Sequence, residues 1–212
     1  MDEKKLDLNN LSLSIVIPVL NDLDHMKILL PCLINQTYLP QEIIIVDSSK
    51  NDDLVKIIKK FNKNNIIKYY KIERCFPGKS TNYGVKFSKS NLIGFLDSKT
   101  TPKKNWIEDY VELIKKYNFD LIFGVTEFSA NSNFQKLILS ASYGNIFHET
   151  FPGTIVKKNI YLNSGGLNEN VRAGYDIEWR NIAKKLNLKY YIPTTAYINY
   201  SAFPQNIKSL LK

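Results

Sequence analysis

Asn91-Leu92-Ile93-Gly94-Phe95-Leu96-Asp97-Ser98-Lys99-Thr100-Thr101-Pro102 decides how the rest of the chain reads. A short apolar run stops at a carboxylate and then turns through small polar residues to a proline. The pattern predicts a buried parallel strand over 91–96, with Asp97 leaving the sheet at its carboxyl edge and a helix after Pro102. In open α/β sheets that edge binds ligands, above all where the strand order reverses. A lone aspartate there would ordinarily cap a turn, so its neighbours decide.

Working outward, Leu11 to Val19 predicts a first buried strand ending at Pro18, followed by the polar turn Asn21-Asp22. A helix is expected from Leu23 to Gln36, with Met26, Leu29, Leu30 and Leu33 inward and a kink at Pro31. Glu42 to Val46 makes a second strand, and it too stops at a carboxylate, Asp47. Leu54, Ile57, Ile58 and Phe61 form a helical face, Ile66 to Ile72 a third strand, and Lys79 to Phe87 another helix. After Pro102 comes an amphipathic helix carrying Trp106, Tyr110, Leu113, Ile114 and Tyr117, then a strand from Asp120 to Val125. This alternation predicts a mainly parallel, twisted α/β sheet with right-handed crossovers and helices on both faces. The second half is less regular. Ser132 to Tyr143 reads as a helix, Gly153 to Val156 as a short strand, and Asn163 to Glu169 as a glycine-dependent loop. Tyr175 to Leu186 reads as a helix with Ile177, Ile182 and Leu186 inward. Tyr190 to Ile192 and Ala196 to Tyr200 are strand candidates, and Ile207 to Leu211 a short helix. No repeat or linker divides residues 1–212, so one domain is expected.

The totals fit a globular chain: 212 residues, 44% apolar and 23% charged. The formal charge is +9, yet the only arginines are Arg74, Arg172 and Arg180. Nucleic-acid readers depend on arginine forks, so no nucleic acid is expected as a partner. An anionic ligand or an anionic membrane surface suits a lysine-rich charge equally well. Cys32 and Cys75 have no metal-type spacing and lie in dissimilar surroundings, which predicts free thiols and a reducing compartment. Met1 to Lys5 has no signal-peptide character, and no apolar run approaches the length of a membrane span. The expected location is cytoplasmic, with any membrane contact peripheral, at the inner face.

Asn21, Asp47 and Asp97 thus end three strands, and they are expected to converge on one cleft. Here the sequence resembles the family 2 glycosyltransferases, which have the GT-A fold. The resemblance runs from about Leu13 to Asn187 and rests on motifs in order. Ser14-Ile15-Val16-Ile17-Pro18-Val19-Leu20-Asn21 is similar to the family's opening strand and nucleotide-binding turn. Ile43 to Ser49 is similar to its second strand, whose aspartate, here Asp47, contacts the nucleoside. Gly78-Lys79-Ser80-Thr81-Asn82-Tyr83-Gly84 resembles a helix start whose asparagine, here Asn82, flanks the base. Asp97-Ser98-Lys99 stands in the place of the Asp-X-Asp signature. Gly165 to Glu169, followed by Gly174-Tyr175-Asp176, resembles the acceptor-side loop and the segment bearing the catalytic carboxylate. There are departures: Lys99 replaces the second carboxylate, Thr81 an arginine, Tyr175 a glutamate and Tyr200 a histidine.

The resemblance implies an inverting transfer of a sugar from a nucleotide-sugar, with a leaning to UDP, onto a glycan or lipid-linked acceptor hydroxyl. It implies Asp176 as general base and Pro18, Asn21, Asp47, Asn82, Asp97, Ser98 and Lys99 as donor-binding residues. Asp97 is the one candidate ligand left for a divalent cation, Mn²⁺ or Mg²⁺. Lys99 offers an alternative counter-charge to the diphosphate. A member that binds nucleotide-sugar or glycan without turnover remains the alternative. A plain dinucleotide-binding protein does not fit, because Pro18-Val19-Leu20-Asn21-Asp22 stands where the glycine-rich turn would be. His25, His148 and Trp179 are expected to be structural, and Lys79 a surface charge.

Overall fold

The computed structural model describes residues 11–210. Met1 to Lys5, and Leu211 at the end of the expected last helix, lie outside the described residues. In the first half the elements are β1 (Leu13–Val19), α1 (Leu23–Ile34), β2 (Glu42–Asp47), α2 (Asp53–Phe61), β3 (Ile67–Lys71), α3 (Pro77–Phe87) and β4 (Leu92–Phe95). Then come β5 (Thr100–Pro102), α4 (Trp106–Tyr117), β6 (Leu121–Phe128), α5 (Asn133–Ser142) and β7 (His148–Lys157). The chain closes with α6 (Lys158–Asn163), α7 (Tyr175–Lys185), β8 (Tyr190–Tyr191), β9 (Ile198–Tyr200) and α8 (Ile207–Leu210).

One sheet carries them in the order β3-β2-β1-β4-β7-β6-β9-β5, with β8 beside β6. β7 and β5 run against the remaining strands. The chain winds from β1 outward to β3 and then returns past its start to β4, so the strand order reverses between β1 and β4. With right-handed crossovers, that reversal puts α1 and α2 on one face and α3 on the other. Residue alternation on β1 follows suit. Leu13, Ile15, Ile17 and Val19 pack with α1, α2 and α4, whereas Val16 packs with Val85 of α3 and Trp179 of α7. The architecture is the expected α/β sheet with helices on both faces.

Three expectations are corrected. Residues 100–102 form a strand, β5, paired with β9, rather than a turn opening directly into a helix. Asp97 begins the turn that leads there, its carbonyl accepting from Thr100 N at 3.1 Å and Thr100 Oγ1 at 2.6 Å. β7 is a ten-residue strand, not four, and bends where β6 shifts register between Ile122 and Gly124. A side chain at Gly124 would lie 1.9 Å from the Pro152 carbonyl, so the close crossing requires glycine. The helix α6 follows β7 without a sequence-level expectation. Finally, α7 is turned relative to its expected face: Ile177, Ile182 and Leu186 are exposed, while Trp179 and Ala183 are buried. Trp179 packs on Phe95, Phe151 and Tyr161 and donates to Ser164 Oγ at 2.8 Å, which fixes the helix by one large ring. As expected, Trp179 is core.

Helix α1 runs through Pro31. Cys32 and Cys75 are both free thiols. Among the described residues no helix is long and apolar enough to cross a membrane.

Candidate functional site

The reversal between β1 and β4 opens a cavity of about 280 Å³ at their carboxyl ends. β1 contributes Pro18 and the following Asp22, β2 the following Ser48, and α3 Pro77 and Ser80. From the loop after β4 come Asp97, Ser98 and Lys99; Tyr175 and Tyr200 close the far side. A second cavity of about 360 Å³ lies beyond, lined by Asp97, Thr126, Thr150, Asp176, Arg180 and Tyr200 among others. Asp97 and Tyr200 belong to both, and so form the partition.

Electrostatics reinforce that arrangement. Burial and the nearby Asp176 carboxylate push Asp97 up to about 6, with Lys99 pulling the other way. Tyr200 is pushed up to about 12, first by burial and then by Tyr143, Asp97 and Asp22. Burial likewise raises Tyr175, with Asp97 and Asp176 adding to it. Both phenols are therefore neutral donors at physiological pH. Gly174 caps α7, and Tyr175 and Asp176, adjacent in its first turn, face different cavities.

The expectation that Asn21, Asp47 and Asp97 line one cavity is corrected. All three do end strands at the same sheet edge, but only Asp97 reaches the main cavity. Asn21 adopts φ +52°, donates its N–H to Ser49 Oγ at 2.7 Å and lines a smaller neighbouring cavity with Asn51 and Asp53. Its place in the main cavity is taken by Asp22, whose carboxylate accepts from Ser98 Oγ and pairs with His25. Asp22 stood in the same polar turn in the sequence; only the backbone geometry separates the two residues. His25 stands behind Asp22 and outside the cavity lining, and His148 bonds the Tyr143 carbonyl at 2.7 Å while also lining the second cavity.

Asp47 is buried behind the cavity. It accepts from Ser49 N at 2.9 Å, Tyr69 OH at 2.8 Å and Lys71 Nζ at 3.2 Å. Burial alone would raise its pKa, but those donors outweigh it and hold the carboxyl below its ordinary value. A depressed carboxylate contributes stability above its unfolded pKa, and that stability is lost as pH falls through the folded value. Asp47→Ala is expected to cost about 1–3 kcal/mol at pH 7, by leaving Ser49 N and Tyr69 OH without their acceptor, while Lys71 keeps Asp52 and the Asn51 carbonyl. Urea melts at several pH values check this: the gap between the two proteins should narrow below about pH 4. A gap that persists unchanged in acid would show that packing, not the charge, is what is lost.

Asn82 does not line the main cavity either. Its Oδ1 accepts from Tyr161 OH at 2.6 Å and Leu167 N at 3.0 Å, and its Nδ2 donates to Leu167 O at 2.8 Å and Glu169 Oε1 at 2.9 Å. One amide thus clamps α3 to the loop that leads to α7. Gly166 has φ +70° and a Cβ there would meet Asn82 Oδ1 at 2.8 Å, which explains the glycine in the sequence. Asn82→Asp should loosen this clamp, because an acid cannot donate to Leu167 O and would face Glu169. Adding Glu169→Gln supplies a donor in return and should recover part of the lost thermal stability. No recovery in the double variant would sink the clamp assignment.

A divalent cation finds a poor donor set here. Asp97 offers one carboxylate, Asp22 is engaged by Ser98 and His25, and the third residue of the turn is the cationic Lys99. Among the described residues no three His, Cys, Asp or Glu side chains gather as a metal site. Mn²⁺ and Mg²⁺ favour several oxygen ligands in octahedral array, which this turn does not provide.

Against known proteins, the sequence model of glycosyl transferase family 2 matches residues 14–203. An uncharacterised glycosyltransferase of Rickettsia conorii is 29% identical over 189 residues, 84% of this chain and 31% of its own length. The chondroitin synthase of Pasteurella multocida is 26% identical over 178 residues, 81% of this chain and 17% of its own. The chain therefore spans less than a third of the length of these two relatives. Among solved structures, S. aureus TarS 1-349 in complex with UDP-GlcNAc superposes with a TM-score of 0.73 at 17% identity, over 92% of this chain and 60% of that one. That likeness concerns the fold.

Proposed function

Because the chain belongs to glycosyltransferase family 2, we propose that it moves a sugar from a nucleotide-sugar, with UDP the favoured nucleotide, to an acceptor hydroxyl with inversion. One observation carries the reading: Asp97 partitions two cavities, one walled by Lys99 and the other by Asp176. In this reading the diphosphate lies in the first cavity, near Pro18, Ser98 and Lys99, and the acceptor enters the second. The acceptor oxygen bonds to the anomeric carbon as its proton passes to Asp176. The bond from that carbon to the diphosphate oxygen breaks, and its electron pair leaves with the nucleoside diphosphate. Attack and departure from opposite cavities give inversion at the carbon. Lys99 meets the charge gained by the leaving group. Asp97 lies beside the cationic transition state, as carboxylates do in glycoside hydrolysis.

Donor binding is proposed to proceed without a tightly held cation, in keeping with the donor set around Asp97. The UDP-GlcNAc complex of TarS lends weight to a UDP-sugar donor. The chondroitin synthase relative favours a glycan acceptor in polysaccharide synthesis, and the charge leaves a lipid-linked glycan equally open. Free cysteines support a cytoplasmic site of action. Lys99 in place of a second carboxylate favours one other reading, binding of the nucleotide-sugar without turnover.

A thermal-shift panel of UDP-, GDP-, dTDP- and CMP-sugars, with Mn²⁺ and with EDTA, tests the donor class. A ligand at a hundredfold excess over its Kd should add about 2.7 kcal/mol of stability. A UDP-sugar shift that survives EDTA is expected. No shift with any nucleotide-sugar would remove the donor assignment.

A further inference from the structure

We infer that α5, the turn after it and the end of the chain form a face that docks on an anionic lipid surface, with the second cavity opening beside it. The face is apolar where a soluble surface is usually polar. Leu137 is 67% exposed, Ile146 66% and Phe147 50%, all within a short stretch. Helix α5 buries Gln135 and Leu139 and turns Leu137 outward, so the exposure belongs to its solvent face. Tyr143 and His148, on either side of Ile146 and Phe147, line the second cavity, which places the apolar turn at its mouth. The chain end adds to the same region. Gln135 Nε2 donates to the Phe203 carbonyl at 2.7 Å, and the Phe203 ring lies against Phe128 and Tyr143. From there α8 presents Ile207, 64% exposed, and Leu210, 53% exposed.

Charge selects the occupant. From Phe128 to His148 the sequence has no acidic residue, and after Glu178 none occurs to the end. That last stretch carries Lys185, Lys189, Lys208 and Lys212, while its Arg180 and Lys184 are both paired to Glu149, and α5 carries Lys136. Exposed leucine, isoleucine and phenylalanine on α5, the turn after it and α8, with Lys136 and Lys208 on the same helices and no acidic residue on these segments, match the interface of an anionic bilayer, which takes apolar side chains below and cations at the headgroups. A second copy of this chain would bring the same lysines face to face in a protein of formal charge +9, which opposes self-association. Docking here turns the second cavity toward the membrane, where a lipid-linked acceptor would be presented. That last point rests on the proposed transfer; the docking face does not.

Co-sedimentation with vesicles tests the face without any substrate. The full chain should bind vesicles of phosphatidylcholine mixed with phosphatidylglycerol, bind phosphatidylcholine alone weakly, and be released by salt. Leu137→Glu with Phe147→Glu should weaken binding by roughly tenfold or more, since apolar contact is lost and a negative charge meets the headgroups. Ile28→Glu, exposed on α1, serves as the control and should bind like the parent. Circular dichroism melts confirm that the exposed substitutions leave the fold intact. Equal binding by parent and double variant, or no binding to the anionic vesicles at low salt, overturns the inference. A dimer in solution that the double variant abolishes would assign the face to a second copy instead. The donor thermal shifts are read separately, so loss of docking with retained donor binding leaves the transfer reading standing.

Discussion

Asp176→Asn is expected to lower sugar transfer by at least about a hundredfold while donor binding stays nearly unchanged. The amide keeps the shape of the carboxylate but cannot take the acceptor's proton. Asp176 also raises its neighbour Asp97, so the substitution should let Asp97 ionise more readily, a secondary effect that does not replace the lost base. Single-turnover measurements separate the steps, with donor affinity read by calorimetry. Turnover close to that of the parent would remove Asp176 from the mechanism. Loss of donor affinity as well would make it a structural carboxylate at the start of α7.

Lys99 carries the second large expectation. If its ammonium serves the leaving diphosphate, Lys99→Ala should reduce turnover by about a hundredfold, as removal of one preorganised charge-stabilising group does elsewhere. Donor affinity should fall as well, with no new need for a cation. Lys99→Asp should instead make donor binding depend on Mn²⁺, because it supplies a second carboxylate beside Asp97. Calorimetry of all three proteins with EDTA and with Mn²⁺ decides the matter. A parent that needs Mn²⁺, together with an indifferent Lys99→Ala, would make Lys99 a solvated loop residue.

Much of the fold was legible because alternation of short apolar strands with amphipathic helices leaves few topologies. Met26, Leu29, Leu30 and Leu33 all point inward as their spacing predicts. The second half was harder for identifiable reasons. α7 has one large buried ring, Trp179, and its aliphatic residues fall on the solvent side, so periodicity points to the wrong face. β7 begins in His148-Glu149-Thr150, which carries no apolar signal and is held by pairing with β6 instead. β5 is three residues long and exists only because β9 lies beside it. At the site, Asp97 was singled out by position, as a strand-end carboxylate, and Asp176 by the resemblance of its segment; both line the second cavity. Asn21 and Asp22 could not be told apart without the positive φ at Asn21. Asn82 was read as a donor residue, because sequence cannot show that its amide is saturated by Leu167, Tyr161 and Glu169.

A partition shared by two cavities has a thermodynamic consequence. Asp97 and Tyr200 cannot adjust to an occupant on one side without changing the wall on the other. If the proposed transfer holds, donor and acceptor affinities are linked, and linkage is reciprocal: whatever factor the donor imposes on the acceptor, the acceptor returns on the donor. A diphosphate drawn toward Lys99 would take up the ammonium that otherwise pulls Asp97 down, leaving burial and Asp176 to hold it up. On that reading the free and donor-loaded proteins would offer the acceptor differently charged walls. Steady-state kinetics should accordingly show a preferred order of addition, the nucleotide-sugar first, with the free nucleoside diphosphate competing against the donor and not against the acceptor.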